Sequence, residues 1–229
     1  MIILGIDSAS VSCSAAIKQD NKTTEQFINN GLTHSQTLLP MIAETMKKTD
    51  ITAKDIDLIA ITKGPGSFTG LRIGMATAKG IAAPFDTPCV LISTLEAIAH
   101  TASAHHNGIF CAVMDARCNQ VYNAIFEEKD GELIRLCDDR AITIPDLEKE
   151  LKELNKPIIL CGDGTAVCEK SFSEIQYTVA DEEVRLPHAG NICILGEKYK
   201  NEAQSPDKIS PVYLRLPQAS RELLKKKEK

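Results

Sequence analysis

The residues best placed to do chemistry lie in one run of this 229-residue chain, Lys63-Gly64-Pro65-Gly66-Ser67-Phe68-Thr69-Gly70-Leu71-Arg72-Ile73-Gly74. Three glycines and a proline within Gly64–Gly70 cannot form regular structure. They make a turn with unusual backbone angles. The apolar run Leu58-Ile59-Ala60-Ile61-Thr62 precedes it as a buried strand, and a helix follows within Leu71–Ala83. Strand, Gly-rich turn and helix together present backbone N–H groups to an anion. The loop lacks the ending of a Walker A motif, because Leu71-Arg72 follows Gly70. It is not a nucleophile elbow either, since Pro65 stands two residues before Ser67. Ser67 has no base beside it in sequence. His34, His100, His105 and His106 are poorly spaced for chelation: the last two are adjacent, and His100 and His105 are five apart rather than four. Metal binding is not expected.

Composition narrows the class. Hydrophobic residues make up 43% and charged residues 25%, with no Trp, which describes a globular chain with an aliphatic core. The net charge of −5 argues against a stand-alone nucleic-acid binder. Met1–Ile6 is apolar but meets Asp7 at once and has no basic leader, so no signal peptide is expected. No apolar run is long enough to span a membrane. Eight cysteines without a Cys-x-x-Cys pair read as small buried residues of a cytoplasmic protein.

The elements that must position the loop follow in order. Strands are expected at Met1–Asp7, Val11–Lys18 and Thr23–Asn29. A helix over Ser35–Thr49 follows, with Ser35 as N-cap, apolar Leu38, Leu39, Ile42, Ala43 and Met46 on one side, and Pro40 disturbing its first turn. After the Gly loop and its small-residue helix come a strand at Pro88–Ile92 and a helix over Thr94–Ala104 capped by Ser93. The second half repeats the order: strands at Phe110–Asp115, Val121–Glu127 and Glu132–Leu136, a helix at Pro145–Leu154, a strand at Pro157–Cys161, and a second Gly turn, Gly162-Asp163-Gly164. Helices are expected at Thr165–Ser171 and Ala189–Glu202.

Two βββαβα units in series resemble the α/β fold of actin, Hsp70 and ribonuclease H, the ASKHA class. The expected lobes are residues 1–103 and 104–207, followed by a C-terminal segment 208–229 with a basic tail. That class holds a nucleotide between its lobes, and an Asp after the first strand helps hold its metal. Asp7 stands in that place, and it also reads as a plain strand-end turn residue. The Gly-Thr that usually follows is replaced by Ser8-Ala9-Ser10. Asp115 and Arg117, at the start of the second lobe, either line the interlobe cleft or form a buried ion pair that holds the turn.

The run GPGSFTGLRIG followed by Ala78-Lys79-Gly80 resembles the signature of the bacterial TsaB family. Asp115-Ala116-Arg117 with Val121-Tyr122, and Pro211-Val212-Tyr213-Leu214-Arg215, resemble two further segments of it. The resemblance implies a non-catalytic subunit that binds and activates a TsaD-like catalytic subunit, together with a TsaE-like ATPase. The assembly adds threonylcarbamoyl to the N6 of the adenosine beside the anticodon of tRNAs reading codons that start with A. It implies a homodimer when alone, tRNA contact only through the complex, and no intrinsic cofactor, with any nucleotide belonging to the complex. The metal pair of the TsaD family falls, on alignment at Glu96, on Thr94 and Ile98, neither of them a ligand. Partner contact is implied for the first helix and the small-residue helix, through His34, Leu38, Ile42, Met46, Arg72, Met75 and Lys79. A sugar- or acid-kinase-like enzyme and a metallopeptidase are the alternatives. The first needs a phosphate grip and a base, the second a metal pair.

Overall fold

The computed structural model describes residues 1–29 and 33–215, so the basic tail Arg221–Lys229 lies outside the described residues. Two mixed sheets form the body. The first contains β1 (Ile2–Asp7), β2 (Cys13–Gln19), β3 (Lys22–Ile28), β4 (Leu58–Gly64) and β5 (Cys89–Ser93) in the order β3-β2-β1-β4-β5. The β1–β2 and β2–β3 pairs are antiparallel, and β4 and β5 run parallel to β1. The second contains β6 (Ile109–Asp115), β7 (Gln120–Lys129), β8 (Glu132–Arg135), β9 (Arg140–Thr143), β10 (Ile158–Cys161) and β11 (Tyr177–Val179). Its order is β11-β10-β6-β7-β8, with β9 also paired to β7. The expected third strand of the second meander, Glu132–Leu136, is β8, and β9 is an additional strand that also pairs with β7.

The helices are α1 (His34–Thr49), α2 (Phe68–Ala82), α3 (Thr94–Ser103), α4 (Ile144–Leu154), α5 (Thr165–Glu169) and α6 (Ala189–Lys198). The central strand β1 is a continuous apolar run because both of its faces are covered. Leu4 and Ile6 join Leu38 and Ile42 of α1 and Met75 of α2 in one cluster. Ile3 points the other way and joins Ala189, Ile192 and Leu195 of α6.

That second cluster corrects the lobe boundaries. α6, placed by chain order in 104–207, covers the first sheet. α3, placed in 1–103, sends Leu95, Ile98, Ala99 and Ala102 into the core of the second sheet with Phe110 and Phe126. The lobes exchange a helix. α3 also gives Ala97 to the cluster on the first sheet, so it packs between the two, and periodicity alone does not say which sheet an apolar face meets.

Two helix starts also differ from expectation. α1 begins at His34, with Thr33 at its N-cap making no side-chain capping bond, so Ser35 is inside the first turn. Pro40 lies within the helix, which continues to Thr49. α2 begins at Phe68, because Ser67 is its N-cap and accepts from the Gly70 N–H at 3.2 Å. Phe68, Thr69 and Gly70 are thus helix rather than loop, and the Gly-rich turn shortens to Gly64–Ser67.

Candidate functional site

A cleft of about 480 Å³ opens between the lobes, lined by Ala9–Val11, Pro65–Phe68, Met114–Arg117, Asp163 and the C-terminal residues Val212–Arg215. Its first wall is the seat of the Gly-rich turn on the segment after β1. The Ser67 N–H donates to the Ala9 carbonyl at 2.7 Å, and the Ser8 hydroxyl donates to the Gly70 carbonyl at 2.9 Å. A Cβ on Gly70 would run into the Ser8 carbonyl oxygen, and one on Gly74 would run into the Ser8 hydroxyl. These two glycines let α2 lie directly on the backbone after β1. A backbone donor expected to face an anion, that of Ser67, is therefore engaged within the protein. The Ser67 hydroxyl is engaged as a helix cap and has no base beside it.

Asp7 lies under this wall rather than on it, fully buried. Its Oδ1 accepts from Thr62 Oγ1 at 2.8 Å and from the Ala9 N–H at 3.2 Å, and its Oδ2 has no hydrogen-bond partner. Burial pushes its pKa up to about 6 against those hydrogen bonds. Asp163, in the turn after β10, is raised to about 6 by the same cause and accepts from the Asp115 N–H at 3.3 Å.

The opposite wall is the β6–β7 turn. Asp115 and Arg117 both line the cleft and pair at 3.4 Å. The pair is not buried: the Arg117 side chain is 80% exposed. Arg117, Cys118 and Asn119 all have positive φ, at 65°, 56° and 56°. None is glycine, and each such residue costs roughly 1–2 kcal/mol. The Asp115 carboxylate accepts the Arg117 N–H at 2.7 Å and helps hold this turn. From the C-terminal segment, Arg215 donates to the carbonyls of Ala116 and Arg117.

A second cavity of about 430 Å³ lies behind the first, next to a polar tie between the lobes. Ser93 donates to Asp139 at 2.6 Å, Arg135 bridges Asp139 at 2.7 Å and Glu96 at 3.3 Å, and Tyr199 donates to Glu96 at 2.6 Å. Glu96 is therefore a structural tie. Among the described residues no group of three or more His, Cys, Asp or Glu could hold a metal ion, and His100 and His106 turn to Asn191 and Asp181.

The seven residues assigned to partner contact separate into two groups. Leu38, Ile42 and Met75 are buried in the protein's own core, which corrects their placement on an outer face. Met46 packs partly against the same core. His34 holds the Ser10 carbonyl at 2.9 Å, and Lys79 donates to the Asp207 carbonyl at 3.2 Å. Arg72 is exposed and stacks over Phe68 at 4.0 Å. Leu39, Pro40 and Ala43 on α1 and Arg72, Ala76 and Gly80 on α2 are among the exposed residues of the two helices, with polar Gln36, Glu44, Lys47 and Lys48 also exposed on α1 and Thr69 on α2. Among the described residues, a Cβ on Gly80 would meet nothing within 4 Å. Sequence reasoning passed over Asp163, Ser8 and Gly80 as site residues. The signal for Asp163 was its place in the second Gly turn, after β10, the counterpart of the Gly-rich turn after β4 in the first half.

Two mixed sheets with their helices, set around a cleft, define an ASKHA-like fold. Comparison with known proteins sharpens this. Residues 30–226 match the family model described as TsaD: tRNA N6-adenosine threonylcarbamoyltransferase. The chain is 36% identical to the tRNA threonylcarbamoyladenosine biosynthesis protein TsaB of Buchnera aphidicola subsp. Baizongia pistaciae, over 93% of this chain and 97% of that one. It is 28% identical to TsaB of Bacillus subtilis over 96% of each. A crystal structure from Pseudomonas aeruginosa, described as similar to the peptidase YeaZ, superposes with a TM-score of 0.83 at 23% identity, covering 93% of this chain and 99% of that one. The chain belongs to the TsaB family, within the wider group that the TsaD model describes. Among the described residues, no helix is long and apolar enough to cross a membrane.

Proposed function

We propose that this chain is the non-catalytic scaffold and activator subunit of a threonylcarbamoyltransferase complex. It docks a TsaD-like catalytic subunit, works with a TsaE-like ATPase, and supports transfer of threonylcarbamoyl to the N6 of the adenosine beside the anticodon. It brings no cofactor of its own, any nucleotide enters with the complex, and tRNA is met only through the complex. Alone, it pairs with a second copy through the same face.

The observation that carries this reading is the outward side of α2 beside α1. Ala76 and Gly80 are exposed and rise little above the backbone, Arg72 flanks them with its guanidinium over Phe68, and among the described residues the space over Gly80 is open. Small side chains let a partner helix approach closely and pack with high complementarity. The cleft supports the same reading from the other direction, since the Ser67 donor and hydroxyl are both engaged internally. A kinase would need that grip and a base.

The test is light scattering with the TsaD-like subunit of the same organism, with tRNA modification assayed in parallel. Wild type is compared with Gly80→Leu, which fills open space on the free chain. Complex formation and modification in wild type, both lost in a folded Gly80→Leu, are the expected result. Failure of wild type to bind at micromolar concentration overturns the scaffold reading.

A further inference from the structure

The C-terminal residues Ser210–Arg215 cross the mouth of the cleft and touch both lobes. On the first lobe, the Val212 N–H donates to the Lys63 carbonyl at 2.7 Å, and a Cβ on Gly64 would sit 2.6 Å from the Val212 carbonyl oxygen. The Tyr213 ring lies 4.7 Å from Phe68 in the first turn of α2, and its hydroxyl accepts from Arg72 Nε at 3.1 Å. On the second lobe, Arg215 holds the carbonyls of Ala116 and Arg117, at the start of the left-handed turn. Val212 and Leu214 are walls of both cavities, so the strap lies between them.

We propose that this strap is a clasp that couples the first turn of α2 to the Arg117–Asn119 turn, so that the two loosen and tighten as one unit. The argument is mechanical. The left-handed turn is costly by itself and needs its carbonyls held. The side chain that holds them stands two residues from the ring that packs on α2. Arg72 belongs to the outward side of α2, so a partner docked there meets the clasp. That last consequence rests on the proposed function. The coupling within the free chain does not.

Hydrogen exchange on the full chain tests it, using Tyr213→Ala and Arg215→Ala. Tyr213 is exposed and Arg215 half-buried, and neither belongs to the core. Each variant is expected to speed exchange by roughly tenfold at both the 68–72 and the 116–120 amides, although each side chain bonds at only one of them. Loosening confined to the element each side chain touches overturns the coupling, and so does unchanged exchange at both. In the complex, docking is expected to slow exchange at 116–120, away from the helix face. A partner that does not bind removes the proposed function. The two variants of the free chain still decide the clasp.

Discussion

The two sides of α2 use the same residue types for opposite ends. On the inner side, Gly70 and Gly74 bring the helix against the Ser8 backbone and side chain, and Ala78 is buried. On the outer side, Ala76 and Gly80 face solvent. Glycine in a helix interior is destabilising by roughly 1 kcal/mol relative to alanine. Inside, the close seat of the cleft wall accounts for that cost. Outside, nothing among the described residues does, which is the contrast the proposed partner contact rests on.

Four substitutions can break or sharpen this contrast. Gly70→Ala places a methyl group in the Ser8 carbonyl, which is backbone and cannot rotate away. It should destabilise by about 3 kcal/mol, read from the urea midpoint. Gly80→Leu should raise that midpoint slightly, by somewhat under about 1 kcal/mol from helix propensity, while weakening the complex by about 100-fold, or about 2.7 kcal/mol. Equal loss of stability in both variants would erase the distinction between the sides.

Asp7, beneath the inner seat, gives a pH-dependent readout. Its carboxyl is raised from 3.8 unfolded to about 6 folded. Its burial cost is therefore absent below pH 3.8 and grows as pH rises, reaching full size above about 6. Asp7→Asn should stabilise by about 2 kcal/mol at about pH 7.5 and by little at about pH 4. Asp163, shifted the same way, keeps part of the slope. A variant whose midpoint tracks wild type at both pH values would mean that Asp7 is not the buried acid. The smallest effect is Gly80→Ala, expected to raise stability by roughly 1 kcal/mol with the complex retained. Titration calorimetry checks the second half.

The sequence made much of this legible, for identifiable reasons. Strands β1 and β4 read directly because short continuous apolar runs such as Leu58–Ile61, followed by turn residues, fit a strand buried on both faces. The Gly-rich turn read as a turn because its composition forbids regular structure. Its last residues did not, because the Ser67 cap is a matter of geometry, and only a bond to the Gly70 N–H converts Phe68–Gly70 into helix. The apolar set on α1 was found, but Leu38 and Ile42 point inward while Leu39 and Ala43 point outward. The five share an arc of roughly 140°, but the buried arc also takes in Met41 and Thr45 and is centred to one side, which leaves Leu39 and Ala43 beyond its edge. Gly80 could not be told from Gly74 by type. Only the neighbours distinguish them, Ser8 for one and open space for the other.

The exchange of α3 and α6 between sheets bears on how the chain comes into being. The face of the first sheet that carries Ile3, Ala60 and Val90 is covered by Ala189, Ile192 and Leu195. During synthesis, that face stays bare while nearly a hundred further residues emerge after Ser93. The amino-terminal half therefore cannot complete its core while the ribosome is still making the rest, and uncovered apolar strands are prone to associate. Closing so distant a contact also slows folding. A gene split after residue 103 would yield two insoluble fragments rather than two working lobes, and co-expression would succeed only if the second fragment returned α6 to the first.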